Sequence, residues 1–279
     1  MDFQIALLLG QDGLTNGAIY ALLALALVLV FAVTRVIFIP QGEFVAYGAL
    51  TLAALQAGKV PATLWLILAL GAAVMVLDCA QALRHGSGRR VPRIVAVNLA
   101  APLLLWLLLS NVDLVGLPLV GQIVLALAIV VPLGPMLYRL AYQPIAEASV
   151  LMLLIVSVAV HVVLIGLGLL FFGAEGTRTP AFTEGTLDLG ATTLQYQTLW
   201  ILASSAVLIV ALYAFFERTI YGKALRATAL NRTGARLMGI STTMAGKLSF
   251  TLAALIGAFS GILISPITTL YYDSGFLIG

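Results

Sequence analysis

Six stretches of this chain run for the better part of twenty residues or more without a single Asp, Glu, Lys or Arg: 14–33, 94–112, 114–138, 148–174, 189–216 and 248–272. About 20 apolar residues carry an α-helix across the hydrocarbon core of a bilayer. Two shorter runs, 44–58 and 60–77, are separated only by Lys59, with Pro61 beside it to stop a helix. The pattern predicts an all-α, polytopic transmembrane helix bundle of about eight membrane segments, near 14–33, 44–57, 62–78, 94–110, 114–137, 150–172, 198–216 and 248–265, one of them a short broken helix. Composition excludes the soluble alternative. Charged residues make up 9% of the 279 positions and hydrophobic ones 62%, whereas a water-facing surface needs roughly 25% charge. The first run is not read as a cleaved secretory signal, because no Lys or Arg precedes Arg35 and the run is longer than a signal's apolar region.

The few charges carry topological information. Arg35, Arg84, Arg89, Arg90, Arg93, Arg139, Arg218, Lys223, Arg226, Arg232, Arg236 and Lys247 fall in one alternating set of loops, leaving only Lys59 and Arg178 of the 14 basic residues in the other. Cytoplasmic loops are enriched in Lys and Arg, so the N-terminus is expected outside and the loop 217–247 inside. The opposite face collects Asp2, Asp12, Asp113, Glu175, Glu184, Asp188 and Asp273, and its longest excursion, 173–198, reads as an external loop. The net charge of +3 is therefore orientation and not a nucleic-acid patch. Cys79, the single cysteine, excludes an internal disulfide and reads as a small apolar residue at a helix end.

Within the spans each polar group is a candidate site, since an unpaired ionisable group there costs several kcal/mol. The segment 34–48, TRVIFIPQGEFVAYG, interrupts apolar sequence with Pro40 and Gly42 and places Glu43 at the start of the next run. A helix broken at membrane depth is tolerated where its freed backbone is buried in protein or lines a cavity, as at transporter binding sites. The alternative is a loop at the cytoplasmic surface with Glu43 a solvated first-turn charge. Asn16, Gly42, Glu43, Tyr47 and His161 are the candidates for a translocation path. His161, with no second ionisable group in its own stretch, reads foremost as a neutral packing residue and secondarily as a proton relay. Asn98 is expected to serve interhelical hydrogen bonding, Gly257 and Gly261 close helix packing, and Pro132 and Pro135 a kink near the inner end of the fifth span.

No Walker A motif, HExxH, nucleophile elbow or Cys/His metal spacing occurs. The chain is read as a non-enzyme without its own ATPase site, cofactor or metal, His85 lying in a basic loop and His161 at lipid depth. The stretch 222–239, GKALRATALNRTGARLMG, is expected to be one amphipathic helix with Ala227, Leu230, Gly234, Leu237 and Met238 on a stripe and Arg232 and Arg236 opposite, stopped by Gly239. Such a helix can lie on the membrane surface or dock its stripe in a partner's groove.

Three stretches resemble the permease subunits of branched-chain amino acid (Liv-type) ABC transporters. The first is 17–48, similar to the family's opening helix and its glycine-acid break. There Gly42 and Glu43 match, while Ile37, Phe38, Ile39, Pro40 and Gln41 replace the usual asparagine and histidine pattern. The second is Tyr142, Gln143, Pro144 and Ile145. The third is Tyr221, Gly222, Lys223, Ala224, Leu225, Arg226 and Ala227, then Asn231, Ala235, Leu237, Met238, Gly239 and Ile240, followed by a small-residue helix and the run 271–276. It resembles the family's cytoplasmic coupling loop. The resemblance covers most of the chain except 77–112, which reads as an inserted basic loop plus one span. It also implies C-terminal truncation, because family members continue past a segment like 271–279.

The resemblance implies one transmembrane permease domain over 1–279, with residues 217–247 as a coupling loop within it. ATPase contact would come from Gly222, Lys223, Ala224, Arg226, Ala227, Asn231, Ala235, Leu237, Gly239 and Ile240. It further implies a multi-pass protein of the bacterial inner membrane, embedded in lipid, that moves branched-chain or related amino acids, or amides. Its partners would be a second permease subunit, two cytoplasmic ATPase subunits and a periplasmic solute-binding protein. An ion-coupled secondary transporter, using Glu43 or His161 as its coupling group, is the alternative function.

Overall fold

A computed structural model of the chain describes residues 3–84, 86, 88–188 and 193–275. Asp2, His85 and Phe276 lie outside the described residues. Among those described, seven helical segments are long and apolar enough to cross a membrane, and an eighth, shorter helix is buried among them.

The segments follow in chain order: α1 Phe3–Thr34, the short α2 Gln41–Gln56 and α3 Thr63–Arg84. The fourth segment joins α4 Val91–Val95 and α5 Ala101–Asn111 through a π-helical turn, Ala96–Ala100. The fifth runs from Leu119 to Ile145 as α6 Leu119–Val130, α7 Leu133–Leu137, a π-helical turn at Tyr138–Tyr142 and a 3₁₀ turn at Gln143–Ile145. After α8 Val150–Phe172 and α9 Tyr196–Arg218 come two short helices, α10 Ile220–Leu230 and α11 Arg232–Leu237, and then α12 Thr242–Ile264. Side-chain oxygens of Ser149, Thr219, Asn231 and Ser241 cap the starts of α8, α10, α11 and α12.

Helix α2 is buried almost all round and packs chiefly on α12, which also receives α1, α6 and α7. Small residues make that possible. A Cβ at Gly261 would strike the backbone carbonyl of Val45, one at Gly48 the backbone of Ala258, and one at Gly257 the Phe44 and Gln41 side chains. The GxxxG of the last span is thus a backbone-to-backbone seam. Helices α8 and α9 stand at the periphery, their surfaces largely exposed and apolar. With leucine or valine facing outward in every long segment except α12, the bundle has an apolar exterior around the small-residue α2–α12 seam.

Several expectations change. The fifth segment is interrupted at Pro132 as expected, between Val130 and Leu133, but continues to Ile145 beyond the expected end. Arg139 is consequently not a loop residue. It is 5% exposed, with Nη2 2.6 Å from Asp78 Oδ1 and 2.7 Å from Gln81 Oε1 on α3. Asn98 donates to Ile94 O in its own segment (2.9 Å), and among the described residues not across to a neighbour. The excursion 173–198 contains an antiparallel hairpin, β1 Thr186–Asp188 with β2 Thr193–Gln195. Nor is 222–239 one helix: Asn231 leaves the helical region (φ −149°, ψ 96°) and separates α10 from α11. Its Oδ1 instead accepts the Gly234 N–H at 2.8 Å, a local bond that competes with continued helix. Gly239 does end α11, at φ 82°, with Ile240 N–H bonded to Ala235 O.

Candidate functional site: the broken helix and the cytoplasmic-type loop

The break between α1 and α2 begins at Thr34, whose hydroxyl donates to Val30 O (2.7 Å) and accepts from Val36 N–H (3.3 Å). Arg35 then turns the chain at φ 61°, a left-handed conformation uncommon for a side chain of this size. Val36 and Phe38 are buried. Phe38 packs edge-on against Phe250 (4.7 Å between centroids) and against Tyr142 (5.9 Å). Pro40 opens α2, and the Gln41 side chain crosses to donate to Ala253 O on α12 at 3.0 Å. Glu43 is 1% exposed, so it is not a solvated first-turn charge; within the break Val36, Phe38 and Pro40 are buried while Arg35 and Ile37 are exposed.

Glu43 and Tyr47 are one turn apart on α2 and share a face. Across from them on α8, His161 Nδ1 lies 3.0 Å from Glu43 Oε1, and the Tyr47 hydroxyl donates to Leu164 O at 2.9 Å. Both Glu43 carboxyl oxygens and Gln41 Oε1 are buried and accept no hydrogen bond among the described residues. Beyond α12, residues 265–275 turn back into the bundle instead of staying at its end. Leu270 bridges to Thr177, Tyr272 abuts Gly168 of α8, and Gly275 sits against the Gly42 carbonyl, where a Cβ would collide with backbone. Asp273 is thereby brought within electrostatic range of Glu43 and is not simply a residue of the outer face.

Of the translocation candidates, the structure gathers Gly42, Glu43, Tyr47 and His161 at one place. Asn16 stands apart, in a polar cavity beside Asp12 and Arg178. Reading His161 only within its own stretch missed its partner on α2.

The loop 217–247 presents a different surface. Ile220, Leu230, Leu237 and Met238 are 84%, 89%, 83% and 84% exposed, and Lys223, Arg226 and Asn231 are exposed beside them. Ala224, Ala227 and Ile240 are partly covered. Gly222 and Ala235 are buried, Gly222 because a Cβ there would meet the Phe215 and Phe216 backbone. A cavity of about 290 Å³ runs between α10 and the start of α12, lined by Tyr221, Ala224, Ile240 and Met244 among others. Tyr221 and Met244, which a stripe drawn on 222–239 alone leaves out, complete it. Arg226 pairs with Glu217 at 2.8 Å, while Arg236 reaches Glu147 (3.1 Å) and Arg232 reaches Ala146 O (3.3 Å). The last two contacts tie α11 to the turn that precedes α8.

Residues 94–279 match the family described as branched-chain amino acid transport system / permease component. The chain belongs to this family. The permease-family match takes in 94–112, part of the stretch that resembled an insertion, and starts after the α1–α2 break. Among curated relatives, the high-affinity branched-chain amino acid transport system permease protein LivH of Escherichia coli is 27% identical over 188 residues, and that of Salmonella typhimurium 26% over 188 residues. Each match covers 64% of this chain and 59% of the relative, so the chain spans less than two thirds of the length of these curated relatives. No solved structure matches. Family and helices together make this a multi-pass membrane protein of the permease family.

Proposed function

We propose that this chain is the membrane-spanning permease subunit of an ATP-driven importer, taking branched-chain or related amino acids across a bacterial inner membrane. The observation that carries the reading is the loop 217–247. Four large apolar side chains, Ile220, Leu230, Leu237 and Met238, stand more than four-fifths exposed on two short capped helices. In a chain of the permease family, such anchors suit a groove on a partner. By the basic-residue asymmetry this loop faces the cytoplasm and the N-terminus faces outside. Two cytoplasmic ATPase subunits dock there, a second permease subunit completes the pathway, and a periplasmic solute-binding protein delivers substrate. The contacts would come from the exposed members of the set Gly222, Lys223, Ala224, Arg226, Ala227, Asn231, Ala235, Leu237, Gly239 and Ile240. The buried Gly222 and Ala235 would hold its shape. Movement of α10 and α11 reaches the bundle through Arg232 and Arg236, which grip the turn before α8, and rocks the helices between two states.

One observation favours a second reading, an ion-coupled secondary transporter: two ionisable groups, the buried Glu43 and the partly buried His161, lie 3.0 Å apart on two helices. Uptake of radiolabelled L-leucine into proteoliposomes separates the two. The importer reading expects uptake only with the ATPase subunits and ATP present. Uptake that persists without them and collapses with the proton gradient would replace it by the second reading.

A further inference from the structure

At the end of the bundle opposite α10 and α11, a cavity of about 490 Å³ is built from the first turns of α1, the loop after α8, the β1–β2 hairpin and the segment after α12. Ligand sites typically enclose roughly 300–1,000 Å³. Its wall is unlike the rest of this apolar chain. Asp12 and Arg178 both line it, together with amides from Asn16 and Gln195 and several threonine hydroxyls, while Leu8 and Ile267 supply an apolar part.

Both charged residues are exposed at the cavity. Asp12 forms no hydrogen bond or ion pair among the described residues, and in particular none with Arg178. Arg178 donates its Nε–H to Pro266 O at 2.7 Å, which fixes the stem and leaves the terminal nitrogens of the guanidinium without a protein acceptor among the described residues. The loop that carries it is pinned on both sides. Thr177 is bridged to Leu270, and the Thr179 hydroxyl meets the Ser265 hydroxyl at 2.6 Å. Asp12, meanwhile, shares a face of α1 with Leu8 and Asn16, four residues to either side.

We infer that this cavity is a binding site for a free neutral α-amino acid in its zwitterionic form. Arg178 takes the α-carboxylate through its paired N–H groups, Asp12 takes the α-ammonium with help from the amide oxygens, and the side chain lies along Leu8 and Ile267. The two unlike charges on one cavity select the class. A simple anion would gain Arg178 but meet the Asp12 carboxylate, and a simple cation would meet the reverse; only a ligand carrying both charges close together satisfies both. The inference deepens the import reading and takes from it the assignment of this end as the outer one.

Equilibrium binding of radiolabelled L-leucine to the full chain in lipid nanodiscs tests it. Saturable binding in the micromolar to millimolar range is expected, weakened about tenfold or more by Arg178→Gln and by Asp12→Asn. On the unsubstituted chain, L-leucinamide and 4-methylpentanoate, each lacking one charge, should compete at least about tenfold more weakly than L-leucine. Absence of saturable binding, equal binding by both variants, or equal competition by the two analogues overturns the site. Uptake by the assembled transporter separates this from the import reading. Wild-type rates with both substitutions would remove the site and leave the importer, whereas binding that follows the expected pattern in an assembly that moves no leucine would remove the importer and leave the site.

Discussion

His161 Nδ1 on α8 lies 3.0 Å from Glu43 Oε1 on α2. With the Tyr47 hydroxyl on Leu164 O one turn along, this pair is the main polar tie between the buried short helix and a peripheral one whose own surface is mostly apolar and exposed.

His161→Ala takes the contact from a carboxyl that is 1% exposed, and Glu43→Ala takes it from an imidazole that is 12% exposed. His161→Ala is expected to lower stability by about 1–3 kcal/mol, and Glu43→Ala by a similar amount. A double-mutant cycle followed by thermal unfolding in detergent should give a coupling energy above about 0.5 kcal/mol. Strict additivity of the two substitutions would show that the contact contributes nothing.

The seam between α2 and α12 makes a sharper steric prediction. Gly261→Ala inserts a methyl group into the Val45 carbonyl and should cost about 1–3 kcal/mol by overpacking. Gly166→Ala is the control. That glycine lies on α8 with open space around it, so the same change is expected to be neutral or to stabilise by up to about 1 kcal/mol. Unfolding midpoints of the two variants check the contrast.

These two glycines also show what the sequence could disclose. Span positions were readable because bilayer thickness imposes a length on every apolar run, and the 34–48 break because Pro40 and Gly42 interrupt one. What a linear reading cannot supply is which faces meet. The GxxxG spacing marks Gly261 for close packing and leaves Gly166 unmarked, but it does not say that Val45 on α2 is what Gly261 meets. His161 looked solitary because its partner sits on α2, far off in the chain. A charge ordinarily marks a span's end, which puts Arg139 in a loop, whereas a π-helical turn carries this helix onward and Asp78 pairs with the charge inside the bundle. Asn231 split one amphipathic stripe into two helices because its side chain caps locally, a choice that periodicity does not register.

The Arg139–Asp78 contact is expected to be stabilising only while both partners are present. Arg139→Leu leaves a carboxylate that is 21% exposed, so its cost should fall near the low end of the range for a broken buried pair, about 3 kcal/mol. Adding Asp78→Leu should recover most of that loss. Chemical unfolding of the single and double variants measures it.

Local caps shape the loop surface. Asn231→Ala removes the acceptor for Gly234 N–H and should cost about 1 kcal/mol. Gly239→Ala forces a side chain into φ 82° and should cost about 1–2 kcal/mol. Hydrogen exchange should speed up over residues 232–237 in both variants while the long helices keep their protection.

The central proposal is that the exposed apolar residues of α10 and α11 seat an ATPase subunit. Leu237 is 83% exposed at the end of α11, and Leu237→Cys places a thiol there in a chain whose one native cysteine, Cys79, lies on α3. Crosslinking this variant, in a Cys79→Ser background and co-expressed with its ATPase subunits, is the most direct test. A covalent permease–ATPase adduct whose yield changes on ATP binding is the expected result. An assembled complex that imports substrate but gives no adduct from Leu237, nor from Met238→Cys or Leu230→Cys, would contradict it.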